Sequence, residues 1–468
     1  MTDIHQVVPP ARSSGRRFRA YSAKHLDALV QRAGLSPQER LAVRAVATVL
    51  PFRTNSYVVE NLIDWDAAPD DPIYRLVFPQ ADMLPAADVQ RLSRLISEEA
   101  PEASVRAAAH EIRMRLNPHP AGQMLLNAPT LGGTPLPGLQ HKYPETVLFF
   151  PRQGQTCHAY CSYCFRWAQF VDEPGLKMAT DDVGTLVAYL RQHPEVTSVL
   201  ITGGDPMIMG EAVLRRYIEP LIDPASGLDH LESIRIGTKS LSYWPQRFVT
   251  DPDADDTLTL FSDVIASGRT LALMAHFTHP RELEPPILAG AVRRITGTGA
   301  VIRTQAPLIR SINDCPAAWQ SMWRTQVRMG MVPYYMFVER DTGPRDYFAV
   351  PLARAWEIFR DAYQGVSGLC RTVRGPSMSA TPGKVGVDGV TEVAGVKVFV
   401  LRMIQARNPR LVGTPFFAKY DPAASWLTDL EPVFADRFPF EPSPYDTVPD
   451  ALPGLWPDEP GELMVPAI

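Results

Sequence analysis

From Thr146 onward the chain alternates short apolar, β-branched runs with stretches of helical periodicity. The runs fall at 146–150 (TVLFF), 198–204 (SVLITGG), 233–238 (SIRIGT), 270–277 (TLALMAHF), 300–307 (AVIRTQAP) and 332–338 (VPYYMFV). Near-continuous apolar runs of this length suit strands covered on both faces. Between them, 181–192, 211–222, 257–267, 287–296 and 317–329 place apolar residues three and four apart, the pattern of a helix with one buried face. From the second run on, successive starts lie 35, 37, 30 and 32 residues apart. That spacing is a repeating βα unit, and it predicts an α/β fold with a parallel sheet, either open and doubly wound or a partial barrel. Both architectures bind ligands at the C-terminal ends of their strands, where polar and glycine-rich residues accumulate here.

The flanks differ from this middle. Residues 1–140 read as helical and irregular. Ser36, Pro37 and Glu39 form a helix start with a capping box that opens a run to Leu50, and a second helical region over 86–116 breaks near Pro101. Past 365 the βα rhythm stops. The segment 366–438 contains GPSMSATPGK (375–384) and a predicted strand and helix over 388–406. Residues 439–468 hold eight prolines, six acids and no Lys or Arg, and are expected to be an extended strap or a disordered tail.

Composition narrows the function classes. With 468 residues, 45% hydrophobic and 21% charged, the chain is an ordinary globular protein. Without the acidic tail it carries 46 basic against 45 acidic residues. Arg12, Arg16, Arg17, Arg19 and Lys24 read as a solvated arm, and no basic stripe with interleaved aromatics follows, so nucleic acid is not an expected partner. No apolar run reaches the roughly 18 residues that span a bilayer, and no signal-like stretch follows the start, so the expectation is a cytoplasmic protein without a membrane partner.

The five cysteines change the picture. Cys157, Cys161 and Cys164 stand in TCHAYCSYCFRW just after the first run, spaced C-x3-C-x2-C, whereas Cys315 and Cys370 stand alone. Three thiolates on one loop can ligate three irons of a [4Fe-4S] cluster. The fourth iron is then open to chelate the amino and carboxylate groups of S-adenosylmethionine, whose reductive cleavage produces a carbon radical. Zinc is the competing ligand for such a triplet, but no second CxxC or histidine pair accompanies it. His158 reads as a packing or hydrogen-bonding residue. The next run ends in Gly203, Gly204 and Asp205, where glycines permit close backbone approach to a ligand.

With Tyr163 before the last cysteine, this pattern resembles the radical S-adenosylmethionine superfamily. Further motifs resemble the lysine 2,3-aminomutase family over about residues 60–405: HKYPETVLF (141–149), CFR (164–166), RIGTKSLSYWPQR (235–247), HFTHP (276–280), RTQAPLIRSIND (303–314), VPYY (332–335) and PGK (382–384). The resemblance implies a partial (β/α)6 barrel over 141–365 with a helical N-terminal region and a C-terminal extension. It also implies pyridoxal 5'-phosphate held by Lys384, and Gly203, Gly204 and Asp205 at the amino group of the methionine moiety. Arg166 is implied at the substrate's α-carboxylate, and His276 and Gln305 at S-adenosylmethionine. Lys142 and Tyr143 match an Arg-Tyr pair near the cofactor, with Thr146 in place of a further arginine. The implied reaction moves an α-amino group to the β-carbon. Epimerisation, elimination or modification of a protein lysine are alternative outcomes of the same radical chemistry, and a non-catalytic iron–sulfur sensor is a third reading. The partners implied are a small amino acid, an electron donor such as flavodoxin or ferredoxin, and further copies of the chain.

In the resembled lysine enzymes two aspartates hold the substrate's distant ammonium. The matching positions here are Arg340 and Ser377, so an acidic or polar substrate is expected, with glutamate first and aspartate next. A one-residue shift would instead present Asp341 and turn Arg340 outward.

Overall fold

The apolar runs pair side by side in chain order. In the computed structural model, which describes residues 17–116, 126–171 and 177–441, they form one eleven-stranded sheet whose spatial order is its sequence order. Its strands are β1 (Leu139–Tyr143), β2 (Thr146–Phe149), β3 (Ser198–Ile201), β4 (Ser233–Thr238), β5 (Thr270–His276), β6 (Val301–Leu308), β7 (Val332–Val338), β8 (Arg374–Ser379), β9 (Gly383–Val393), β10 (Val396–Ala406) and β11 (Pro415–Lys419). β2 to β8 run parallel. β1 is antiparallel to β2 at one edge, and β9 to β11 continue antiparallel at the other.

Helices Val183–Gln192, Glu211–Ile222, Ala254–Ala266, Pro286–Gly297, Pro316–Arg328 and Leu352–Gln364 connect the parallel strands, as crossover connections require. They cover one sheet face with a core that includes Phe149, Ile201, Ile236 and Leu273 from the strands, and Leu190, Leu214 and Ile218 from the helices. Each strand's alternate residues point to the other face, which is concave. Lys142 on β1 donates to the carbonyl of Ala380, just past β8. Arg407, after β10, donates to Thr381 O (2.9 Å) and Leu126 O (3.2 Å) and also bonds Asn127. The sheet therefore curls until its first strand lies within one side chain's reach of the turn between β8 and β9. Among the described residues no strand pairing closes it.

The N-terminal helices pack on the cysteine loop rather than on the sheet. Val46, Tyr74, Leu76 and Phe78 share a core with Tyr163, Trp167, Ala168 and Trp244. The expected capping box is present at Pro37–Val49: Ser36 Oγ accepts from Glu39 N (3.3 Å) and Ser36 N donates to Glu39 Oε2 (2.7 Å). The region 86–116 divides into Ala86–Ser97 and Glu102–Arg115 around Pro101, as its proline predicts.

Two expectations need correction. The parallel rhythm does not stop at 365 but continues through β8. Its sequence, RGPSMS, is poor in strand formers, and pairing with β7 overrides that preference. The helix expected within 388–406 is a strand: β9 and β10 form a hairpin turning at Ala394 and Gly395, both with positive φ. The tail lies outside the described residues beyond Glu441, and the basic arm lies outside them through Arg16. Among the described residues no helix is long and apolar enough to cross a membrane.

Candidate active site

The three cysteines lie on the connection from β2 to the helix Val183–Gln192, at the C-terminal end of the first parallel strand. Two neighbours hold that connection in shape. From the N-terminal region, Asn55 Nδ2 donates to His158 O and to Tyr243 O (both 3.1 Å), Tyr160 N donates to Arg53 O (2.8 Å), and Ser162 Oγ donates to Arg75 O (2.7 Å). From the end of β3, Gly204 N donates to Gly154 O (3.0 Å) and Asp205 N to Thr156 O (2.7 Å). A Cβ on Gly204 would stand 2.4 Å from Thr156 O, so only glycine permits this approach.

The thiols of Cys157, Cys161 and Cys164 act on one another electrostatically. Burial raises the pKa of each, that of Cys164 to about 12. Unliganded, they stay protonated, and ionising all three calls for a strong positive charge among them. Among the described residues no three His, Cys, Asp or Glu side chains are grouped to hold a single metal ion. A cubane cluster takes one thiolate per iron and spreads them more widely than a mononuclear ion does, so the donor set suits the cluster better than zinc. Tyr243 OH lies 3.6 Å from Cys161 Sγ.

His158 packs as expected: Nδ1 meets Ser240 Oγ at 3.0 Å, the ring is edge-on to Phe18, and burial pushes its pKa down to about 3. Asp205, expected at the cofactor, is turned into the protein. Its carboxylate accepts from Met207 N (2.9 Å), Thr238 Oγ1 (2.7 Å), Lys239 N (2.9 Å) and Ser240 Oγ (3.0 Å). Four bonds fill the acceptor sites of a carboxylate, so Asp205 ties the end of β3 to the end of β4. His276 and Gln305 stand side by side on β5 and β6, with Gln305 Nε2 2.8 Å from His276 Nε2. Burial beside Lys239 pushes His276 down to about 3, so its imidazole is neutral.

Sequence reasoning overlooked Lys239 and Glu282. Lys239 Nζ lies 2.8 Å from Glu282 Oε1 and 3.1 Å from Thr278 Oγ1, and its charge acts on Cys161. The signal was available in RIGTKS, where a lysine follows a strand end directly.

A second group lines the concave face. Lys384, on β9, holds its ammonium 4.0 Å from the ring centre of Tyr335. Burial, together with the charges of Arg235, Arg374 and Arg340, lowers its pKa to about 7. Burial next to Arg407, Arg340 and Lys384 also takes Lys142 well below the ordinary lysine range. Tyr143 is raised by burial beside Tyr335.

Arg166 and Arg340 share the ring of Phe165, with guanidinium carbons 5.1 and 4.9 Å from its centre. Arg166 also lies over Phe150, at 4.4 Å. Both hold buried, unspent donors: Arg166 Nη1 and Arg340 Nε and Nη2 have no hydrogen-bond partner. Burial takes Arg166 down to about 10 and lowers Arg340 as well. Asp341 Oδ1 is likewise buried without a hydrogen-bond partner, and it stands 4.0 Å from Arg340 Nε, so both side chains of the pair are drawn in. Ser377 stands on β8, paired with Phe337 of β7. It is fully buried, with its hydroxyl 3.5 Å from Met336 O. Two cavities of about 490 and 480 Å³ flank the site, one beside Tyr160 and Phe170 and one beside Arg374 and Gly386; Lys384 lines neither.

A cysteine triplet at the end of the first parallel strand, braced by a glycine turn from the second, is the arrangement that the resemblance to radical S-adenosylmethionine proteins implies. The chain is similar in sequence to lysine 2,3-aminomutases, and the resemblance read from its motifs is borne out. It is 29% identical over 399 residues to the "Putative L-lysine 2,3-aminomutase" of Aquifex aeolicus, covering 85% of this chain and 92% of that one. It is 27% identical over 237 residues to the L-lysine 2,3-aminomutase of Clostridium subterminale and over 235 residues to that of Bacillus subtilis. These matches cover 51% and 50% of this chain and 53% and 46% of those enzymes, about half their length. No protein-family model matches the chain. Among solved structures, a radical SAM methyltransferase from Sphaerobacter thermophilus is similar over 50% of this chain and 68% of that one, with a TM-score of 0.34 and 18% identity.

Proposed function

We propose that this chain is a radical S-adenosylmethionine, pyridoxal phosphate-dependent amino acid 2,3-aminomutase acting on an amino acid with an acidic side chain. The observation that carries the substrate class is the pair of guanidinium groups on Phe165, each with donors that no protein group uses. The curled sheet, with successive strands and helices wound in one direction, supports its description as a partial (β/α)6 barrel extended by β8 to β11.

When bound, the cluster with S-adenosylmethionine would supply a carbon radical that takes a hydrogen atom from the substrate's β-carbon, and pyridoxal phosphate would carry the migrating nitrogen. Cys157, Cys161 and Cys164 would hold the cluster. Lys384 would hold the pyridoxal phosphate, since an amine must be neutral to condense with an aldehyde and this one loses its proton near pH 7. Arg166 suits the α-carboxylate and Arg340 the distal one, because a planar fork pairs with a carboxylate through two hydrogen bonds. Phe150 and Phe165 stack on these forks and fix their direction. That fixes which substrate carbon faces the cysteine loop. Asp205 and Gly204 act indirectly by holding the loop that bears the thiols. A bound lysine would set its ammonium against Arg340, a repulsion in a buried site. An external one-electron donor such as flavodoxin or ferredoxin completes the proposed system.

Anaerobic incubation of the reconstituted, reduced protein with S-adenosylmethionine and a panel of amino acids tests this reading. β-Amino acid product from glutamate or aspartate is the expected result. Product from lysine alone defeats the substrate class, and uncoupled cleavage of S-adenosylmethionine with every amino acid defeats the mutase.

A further inference from the structure

The guanidinium of Arg235 has no part in the steps above. It stands on β4, on the face opposite Ile234 and Ile236, which fill the helix-side core. Its Nη2 donates to Thr146 Oγ1 (3.1 Å), while its Nε is buried without a hydrogen-bond partner. No carboxylate pairs with it among the described residues; burial lowers its pKa, and its neighbours include the neutral phenols of Tyr334 and Tyr335. Tyr335 links this arginine to two more cations. Its ring carries Lys384, and its hydroxyl accepts from Arg374 Nη1 (3.2 Å). Arg374 also lies over Tyr334, 5.1 Å from the ring centre, and it too has no carboxylate partner. All the charged groups acting on Lys384 are cations.

Positive charge gathered around one buried amine, with an unused N–H and an adjacent hydroxyl, is the complement of an anion. Two guanidinium groups approaching from separate strands suit a tetrahedral group with three terminal oxygens better than a planar carboxylate, which one fork satisfies. Lys142 cannot take this role alone, because it donates to Ala380 and burial suppresses its charge. Guanidinium groups keep their charge under the same conditions.

We propose that Arg235 and Arg374, with the hydroxyl of Thr146, form the subsite for the phosphate of the cofactor that Lys384 holds. The inference rests on the pyridoxal phosphate reading of Lys384, and its test separates the two.

Pyridoxal phosphate and pyridoxal carry the same aldehyde with and without the phosphate. The cofactor-free full chain is titrated with each, and binding is followed by the change in aldehyde absorbance. Tighter binding of the phosphorylated form is expected, weakened about tenfold or more in Arg235→Gln and in Arg374→Gln with pyridoxal unaffected. Arg235→Lys, which keeps the charge but not the fork, should recover part of the loss. Arg374 is exposed, so Arg374→Gln serves as the test if Arg235→Gln does not fold. Equal affinity for the two aldehydes in the unaltered chain, or an unaltered preference in the glutamine variants, overturns the subsite. Binding of neither aldehyde defeats the cofactor reading instead. Inorganic phosphate then decides: protection against thermal unfolding that is lost in Arg374→Gln upholds an anion subsite, and no protection of the unaltered chain overturns it.

Discussion

Arg340 rests on Phe165, the residue that directly follows the last cysteine of the triplet, with its guanidinium carbon 4.9 Å from the ring centre. The segment after β7 is thereby joined to the cysteine loop, and its cation acts electrostatically on both Arg166 and Lys384. Two of its nitrogens have no partner although they are buried, which is costly unless a ligand supplies the acceptors.

Replacing Arg340 with alanine should lower kcat/KM for glutamate by about 100-fold, the scale of losing a buried charge-assisted pair, without lowering turnover of lysine. Product quantification by mass spectrometry measures both. An unchanged ratio of the two would remove Arg340 from substrate recognition.

The cluster reading predicts about four irons per chain after anaerobic reconstitution. Cys161→Ala should lose most of them and make no 5'-deoxyadenosine. Cys315→Ala should keep its iron, because Cys315 is exposed at the start of the helix Pro316–Arg328. Stoichiometric zinc in place of iron is the result that would sink this reading.

Lys384 should be the residue labelled when the protein with pyridoxal phosphate is reduced by borohydride. Its pKa also sets a pH dependence of the cofactor-free protein. In the unfolded chain a lysine loses its proton at about 10.4, and in the fold Lys384 does so at about 7. Between those values the unfolded state binds more protons, so this residue's contribution makes stability rise with pH across the window. Below pH 7 both states are protonated and the contribution is flat. Urea unfolding from pH 7 to 9 should therefore show a steeper rise for the unaltered chain than for Lys384→Met; parallel curves count against a buried, neutral Lys384.

Asp205→Asn should destabilise the fold by about 2–4 kcal/mol, because an amide turned toward four donors leaves at least one of them unpaired. Anaerobic chemical denaturation reads this directly. Unchanged stability combined with weakened S-adenosylmethionine binding would restore Asp205 to direct contact with the cofactor.

What could be read from the sequence is local. The cysteine spacing needs only one loop, the capping box at Ser36 and Glu39 spans four residues, and the apolar strands β2 to β7 each declare themselves within a few positions. Long-range pairing decided the rest. β8 is a strand because β7 offers it a ladder, although its own residues disfavour one. Asp205 looks like a ligand in sequence and becomes a brace because donors from β3 and β4 converge on it. Arg340 and Asp341 are adjacent in sequence, and only the fold sets Arg340 against Phe165 and buries polar atoms of both. The cations around Lys384 come from β4, β8 and the segment after β7, more than a hundred residues apart at the extremes. Side-chain chemistry follows from residue type and neighbouring residues, whereas charge balance depends on groups that meet only when the sheet curls and excludes water between them.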